Sequence, residues 1–421
     1  MKILIVSQYF WPEQFRINDL ALALKERGHK VSVLTGVPNY PGGKLFDGYC
    51  WWNKRYDDMD GVSVYRTPIF LRRQGRGWQL ALNYLSFVFF GCLFGPFFFR
   101  KQTFDVIFVY EPSPFTVGIP GVLIRWLKRA PMLFWVQDLW PESLRAAGAV
   151  NSPIILRTVG RMVRWIYHRC DRVLVQSEAF VEPAILAGAE RRRILYYPNW
   201  AESFYRPLAA SEITLQGANL PEGFRVVFAG NLGEAQSLET IIDAADRLRG
   251  ESEIQWIIIG DGRRADWMEN EVERLRLSDH VTFLGRYSSE VMPNFFAAAD
   301  ALLVTLKADD VFTQTIPSKV QSYMACGKPI LASLNGEGAR VIREASAGVV
   351  VAAGDAEKLA EAVLELYHMK ESDRVFMGEK GRSYYETHFE REMLIRRIER
   401  WMQELCEGNN FQSGCSAIRA V

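Results

Sequence analysis

Ser318 and Lys319 open a short helix within DDVFTQTIPSKVQSYMACGKPILAS, residues 309–333, which leads from a polar loop to a helix ending near Cys326 and Gly327 and on into an apolar strand. Amide donors at a helix start, the helix dipole and one ammonium can together neutralise a diphosphate. The plainer alternative makes Ser318 an ordinary cap and Lys319 a solvated side chain. Upstream, RVVFAGNLGEAQSLETIIDAADRL joins an apolar strand to a helix through a turn holding Gly230, Asn231 and Gly233. Glycine allows close backbone approach and free N–H groups attract phosphate oxygens, although any strand-to-helix turn can contain such glycines. IIIGDGRR, residues 257–264, repeats the arrangement with Gly260, Asp261 and Gly262. Asp261 reads best as the cap of the next helix, and its loop as one wall of a ligand crevice.

In the N-terminal half, LFWVQDLWPESL sets Gln137, Asp138 and Trp140 just beyond a strand. A carboxylate there can orient or deprotonate a sugar hydroxyl; the alternative for Asp138 is a helix cap. The first loop, SQYFWPEQFRIND, offers Glu13 and Arg16 at the same edge, with Asn18 or Asp19 as an ordinary helix start. The five histidines are scattered, without carboxylate or cysteine partners at ligand spacing. Asp58 and Asp60 form an Asp-x-Asp pair, read by default as a solvated loop, so no metal site is expected.

Short apolar runs (KILIV, KVSVLT, VIFVY, MLFWV, RVLVQ) alternate with helical stretches such as 16–28, which predicts a parallel sheet covered by helices. The rhythm pauses at 201–223, the expected linker, then resumes with RVVFAG, IQWIIIG, VTFLG, ALLVTL, PILAS and VVVAA. Two doubly wound α/β domains in series are therefore expected, with ligands outside the carboxyl ends of the strands. A chain of 421 residues has the length for two cores. A last amphipathic helix is expected over about 390–405, with a frayed tail after Glu407.

The net charge of +1, without long runs of one sign, disfavours a nucleic-acid binder. Six cysteines without paired short spacings fit a reducing compartment, and MKILIVSQYF reads as a first strand rather than a signal peptide. LALNYLSFVFFGCLFGPFFF, residues 80–99, is apolar over about the length a bilayer requires. Arg72, Arg73 and Arg76 precede it and Arg100 and Lys101 follow, which suits anionic headgroups. Three readings compete: a buried domain helix, an interfacial helix and a span. Gly91, Gly95 and Pro96 weaken a straight span, which would also put strands of one sheet on opposite sides of the bilayer, so peripheral binding is expected.

SQYFWPE, RGHKVSVLTGVPNYPGG, VQDLWPES, Ser177-Glu178, YYPNWAE, FAGNLGEAQSLE, IIGDG and IPSKVQSYMACGKPI together resemble retaining glycosyltransferases of family 4, with the GT-B fold, over nearly the whole chain. The likeness is greatest to the subgroup that builds bacterial O-antigen, capsule and colanic acid repeat units. It implies two facing Rossmann-like domains: an acceptor-binding domain over 1–205, a nucleotide-sugar domain over 206–388, a helix over 389–406 returning to the first, and a tail over 407–421. It further implies transfer without an enzyme nucleophile, cofactor or metal, through front-face attack in which the acceptor hydroxyl loses its proton to the leaving phosphate.

Carried onto this sequence, the resemblance places donor contacts at Arg16, Gly230, Asn231, Gly260, Asp261, Gly262, Arg286, Gln314, Ser318, Lys319 and Ser322, and chemistry at Asp138 and Lys319. The chain departs from the family at several points. The paired glutamates fall on Gln314 and Ser322, and the diphosphate-neutralising arginine and lysine on Asn231 and Gln236, leaving Lys319 and Arg16 to supply positive charge. Phe15 and Arg16 replace a glycine pair, and Gln137 replaces a histidine. The expected reaction is transfer from a UDP-sugar, with N-acetyl-L-fucosamine or a related hexosamine as leading donor sugar, to a polyprenyl-diphosphate-linked saccharide. The expected location is cytoplasmic, peripheral on the inner face of the plasma membrane. A UDP-sugar 2-epimerase and a non-catalytic sugar-nucleotide-binding scaffold are the alternatives.

Overall fold

A computed structural model of the chain describes residues 1–51, 54–146, 152–215 and 217–418. It divides into two compact units, Met1–Tyr197 with the segment from Glu392 onward, and Pro198–Arg391. The first boundary falls before the expected linker, in which the described residues form only a 3-10 turn, Ala210–Glu212.

The first unit holds β1 (Lys2–Val6), β2 (Lys30–Gly36), β3 (Tyr56–Met59), β4 (Val62–Thr67), β5 (Val106–Glu111), β6 (Met132–Val136), β7 (Arg172–Val175) and β8 (Ile194–Tyr196). Their order across the sheet is β3-β4-β2-β1-β5-β6-β7-β8. All pairs are parallel except β3 with β4. Central strands covered on both faces need apolar residues at every position, and every residue of MLFWV in β6 is buried. The antiparallel edge pair was not expected. It explains Asp58, whose carboxylate accepts the Gly61 N–H at 2.8 Å and closes the hairpin turn.

The second unit is an all-parallel sheet of β9 (Phe224–Ala229), β10 (Ile254–Ile259), β11 (Val281–Gly285), β12 (Ala301–Thr305), β13 (Ile330–Ser333) and β14 (Gly348–Val351), in the order β11-β10-β9-β12-β13-β14. Helices lie against the sheet through apolar stripes. In Leu238–Arg247, Leu238, Ile241, Ile242 and Ala245 are buried, spaced three and four residues apart. Strand order reverses between β1 and β5 in the first unit and between β9 and β12 in the second. Ligand crevices open at such reversals.

The chain ends on a helix, Arg391–Ile418, longer than the expected 390–405 and continuous through most of the expected tail. It belongs to the first unit. Glu399 binds Arg27 at 2.9 Å and His29 at 2.7 Å, Glu392 binds Arg27 at 3.2 Å, and the Tyr197 hydroxyl donates to the Leu394 carbonyl at 3.2 Å.

The apolar segment forms the helix Gly77–Phe98. A single stripe, Gln79, Asn83, Phe87, Gly91 and Gly95, is buried against the unit. Gly91 and Gly95 are the residues of closest approach: a Cβ at Gly91 would lie 3.2 Å from Pro120, and one at Gly95 would lie 3.1 Å from Ile124. The other side is open, with Trp78, Leu82, Leu85, Phe89, Leu93 and Phe97 exposed, so the helix is not a wholly buried one.

Candidate active site

The second unit's site forms where β9 ends. Gly230 has φ +144° and Gly260, at the end of β10, has φ +143°, conformations that side chains rarely adopt. A Cβ at Gly260 would strike the Gly230 carbonyl, and one at Gly262 the Leu232 carbonyl. The two turns are also joined by backbone bonds, Gly230 N–H to Ile259 O and Leu232 N–H to Asp261 O, both at 2.8 Å. Asp261 is therefore an exposed residue of this turn pair and not a cap. The following helix, Ala265–Leu275, has Arg264 at its N-cap position.

Lys319 folds into this turn. A Cβ on Gly230 would lie 2.5 Å from its Cε and 2.9 Å from its Nζ. The ammonium donates to Gln236 Oε1 at 2.6 Å and lies 3.7 Å from the centroid of the Phe228 ring. Burial pulls its pKa down to about 7, because losing water disfavours the charged form. Gln236 thus holds the Lys319 ammonium in place. The Thr305 hydroxyl at the end of β12 in turn donates to the Gln236 carbonyl.

Ser318 is the first residue of the helix Ser318–Ala325, whose N-cap is Pro317, so it is not the cap residue. The Ser322 hydroxyl donates back to the Ser318 carbonyl at 3.2 Å. Asn231 and Arg286 are exposed and Gln314 is half-buried in the connection before that helix. Two cations at this loop were not foreseen. Lys307 pairs with Glu234 at 2.9 Å, and Arg264 pairs with Glu239 while lying 3.8 Å from the Trp267 ring centroid. Lys307, two residues past an apolar strand, was within reach of a strand-end search.

In the first unit, Asp138 follows β6 and is half-buried. Its carboxylate accepts the Ser143 hydroxyl, with a further side-chain bond to Ser113, and burial raises its pKa. Ser143 lies in the helix Glu142–Ala146, so Asp138 tethers that helix without beginning it. Behind it, Glu111 at the end of β5 is 1 % exposed and accepts the Asp138 N–H at 3.4 Å. Burial, with Asp138 adding to it, raises the Glu111 pKa well above its ordinary value. Glu111 ends the run VIFVYE and was not singled out from sequence.

At the end of β1, Asn83 ties two loops to the helix Gly77–Phe98. Its Oδ1 accepts from Gln8 at 2.7 Å and from the Tyr9 hydroxyl at 3.2 Å, and its amide donates to the Phe70 carbonyl at 2.5 Å. Tyr9 stacks on Phe15 at 5.4 Å, and the Arg72 guanidinium lies 4.8 Å from the Tyr40 ring centroid. Arg16, half-buried, is the first residue of the helix Arg16–Glu26, which has Phe15 as N-cap. Neither Asn18 nor Asp19 starts that helix; Asn18 Oδ1 accepts from the Trp11 N–H at 3.1 Å. Glu13 is a loop anchor, accepting the N–H groups of Asn39 at 2.7 Å, Tyr40 at 2.6 Å and Phe10 at 3.2 Å, with a pKa raised to about 7 by burial.

Two such units, one edged by carboxylates and hydroxyls and the other by a glycine turn holding an ammonium, have the architecture of a GT-B glycosyltransferase. The Glycosyl transferase 4-like domain family matches residues 14–200 and the Glycosyl transferases group 1 family residues 214–384. The chain belongs to glycosyltransferase family 4. It is 28% identical over 343 residues to a putative colanic acid biosynthesis glycosyl transferase, WcaI, of Escherichia coli K12, covering 78% of this chain and 82% of that protein. It is 29% identical to the probable glycosyltransferase WbjE of Pseudomonas aeruginosa, covering 63% and 67%. Among solved structures, a sucrose-phosphate synthase of Thermosynechococcus elongatus superposes with TM-score 0.73 at 17% identity over 97% of this chain and 100% of the other. Anabaena Alr3699/HepE in complex with UDP superposes with TM-score 0.69 at 18% identity over 96% and 100%.

Proposed function

We propose that this glycosyltransferase works in polysaccharide biosynthesis, transferring a sugar with retention from a UDP-sugar to a polyprenyl-diphosphate-linked saccharide at the inner face of the plasma membrane. The observation that carries the reading is Lys319 folded over Gly230 at the reversal point of the second sheet. An approaching diphosphate meets backbone donors where only glycine fits, together with an ammonium already oriented by Gln236. The acceptor oxygen attacks the anomeric carbon on the face from which UDP departs, and its proton passes to the departing phosphate oxygen. Lys319 stabilises the charge that develops there, and neither an enzyme nucleophile nor a metal is required. Asp138 orients the acceptor hydroxyl.

The leading donor sugar is N-acetyl-L-fucosamine or a related hexosamine. The lipid-linked acceptor is supported by the exposed apolar side of the helix Gly77–Phe98, followed by Arg100 and Lys101. Peripheral binding agrees with its opposite stripe, where Gln79 and Asn83 are buried in the unit.

The test is incubation of the full chain with UDP-, GDP- and dTDP-sugars and a lipid-linked acceptor. The reading expects one UDP-sugar to give a glycoside of unchanged anomeric configuration. An inverted linkage contradicts retention, and release of a free epimerised sugar without acceptor would replace the transferase by an epimerase.

A further inference from the structure

Three neighbouring helices of the first unit, Gly77–Phe98, Gly118–Lys128 and Pro153–Tyr167, contain no aspartate or glutamate. Apart from Thr158, their exposed residues are apolar or basic. Beyond Phe89 (63% exposed) on the first helix, the second exposes Trp126 (73%) and Leu127, and the third exposes Ile154 (73%), Ile155 and Trp165. The third helix also carries Arg157, Arg161 and Arg164, all exposed. Arg169 follows it, with its guanidinium 4.3 Å from the Trp165 ring centroid.

A groove of about 410 Å³ opens among the three helices, its lining including Cys92, Leu123, Trp126 and Trp165, with Arg125 and Arg169. Arg125 is held by Asp171 at 3.0 Å. Exposed tryptophans beside arginines on an apolar ground match the boundary between acyl chains and headgroups, where indole rings and guanidinium groups are both accommodated. A water-facing surface has no use for so many large apolar side chains in one place. The exposed Arg157, Arg161, Arg164 and Arg169 select a partner of opposite sign.

We infer that the three helices form one docking face for an anionic phospholipid bilayer, and that the groove between Trp126 and Trp165 receives a lipid chain. This rests on the membrane-bound reading of the helix Gly77–Phe98 and widens it to two helices that hydropathy alone does not mark. The orientation that follows puts the helix Pro153–Tyr167 in the headgroup layer, where Arg157 and Arg161 meet phosphates.

The experiment is co-sedimentation of the full chain with vesicles of phosphatidylglycerol and phosphatidylethanolamine, compared with vesicles of phosphatidylcholine alone. Arg157→Glu with Arg161→Glu, and separately Trp126→Ser with Ile154→Ser, should each lower partitioning into the anionic vesicles about tenfold or more. Leu85→Ser with Phe89→Ser reports on the first helix alone. Stabilisation of each variant by UDP verifies that the chain is folded.

With acyl chains carrying bromine, tryptophan fluorescence should be quenched, and Trp126→Phe with Trp165→Phe should remove part of that quenching. If only the Leu85 and Phe89 variant loses binding, the narrower membrane reading stands and the three-helix face is wrong. Equal binding to anionic and neutral vesicles, or quenching unchanged without Trp126 and Trp165, overturns the inference. If no variant affects binding, both readings fail.

Discussion

Lys319 occupies the space that a side chain at position 230 would take: a Cβ on Gly230 would stand 2.5 Å from its Cε. The glycine and the lysine, on different elements, thus depend on each other. Gly230→Ala should displace the ammonium and strain the turn, lowering UDP affinity about tenfold and stability by roughly 1–3 kcal/mol. Calorimetric titration with UDP and thermal melting check both. Unchanged affinity in the folded variant means that the lysine is not needed where it lies.

The lowered pKa of Lys319, about 7, gives UDP binding a pH dependence. Above that value the empty site holds mostly neutral amine, whereas a bound diphosphate favours the ammonium. Binding should therefore take up as much as one proton near pH 8, and affinity should weaken as pH rises. Titrations in two buffers of different ionisation enthalpy measure the uptake, which Lys319→Met should abolish.

Glu111 gives folding a linkage of the same sign. Its folded pKa lies well above the ordinary 4.5, so the unfolded chain ionises first as pH rises. Folded stability should then fall with increasing pH between the ordinary and the raised value. Glu111→Gln keeps an acceptor for the Asp138 N–H and removes the ionisation. Its melting temperature should lose that pH slope and exceed the wild-type value at neutral pH.

The parallel strands were legible because each is an apolar run such as KILIV, VIFVY or MLFWV, and a strand buried on both faces tolerates little else. The edges were not. Tyr56–Met59 is the polar YDDM, and Ile194–Tyr196 is three half-buried residues, too short for a pattern. At the site, Lys319 was legible from its place at a helix start, and Gln236 as a departure from the family. The bond between them was not, since it arises from a contact across the fold. Asp261 was misread because a strand-end aspartate resembles a cap, whereas here the turn packs on its neighbour and the helix begins later, at Ala265.

Asp138 sits half-buried at the end of β6 in the first unit, bonded to Ser143. Asp138→Asn should lower kcat by roughly 10²-fold or more while changing donor KM little. Steady-state kinetics with the donor varied distinguishes this from a structural role, which would weaken both together.

Asn83 joins Gln8, Tyr9 and Phe70 inside the first unit. Asn83→Ala leaves the Gln8 amide and the Phe70 carbonyl without this partner in a dry place, at a cost of about 2–3 kcal/mol. Denaturant unfolding should show the loss, with UDP binding to the second unit retained.

Whether the Lys319 ammonium grips the donor diphosphate is measured most directly by the Kd for UDP of wild type and Lys319→Ala by calorimetry. Loss of one charge-assisted bond predicts weakening of about 1.5–3 kcal/mol, roughly 10- to 150-fold. Equal affinity for UDP in the two proteins would remove Lys319 from the donor site.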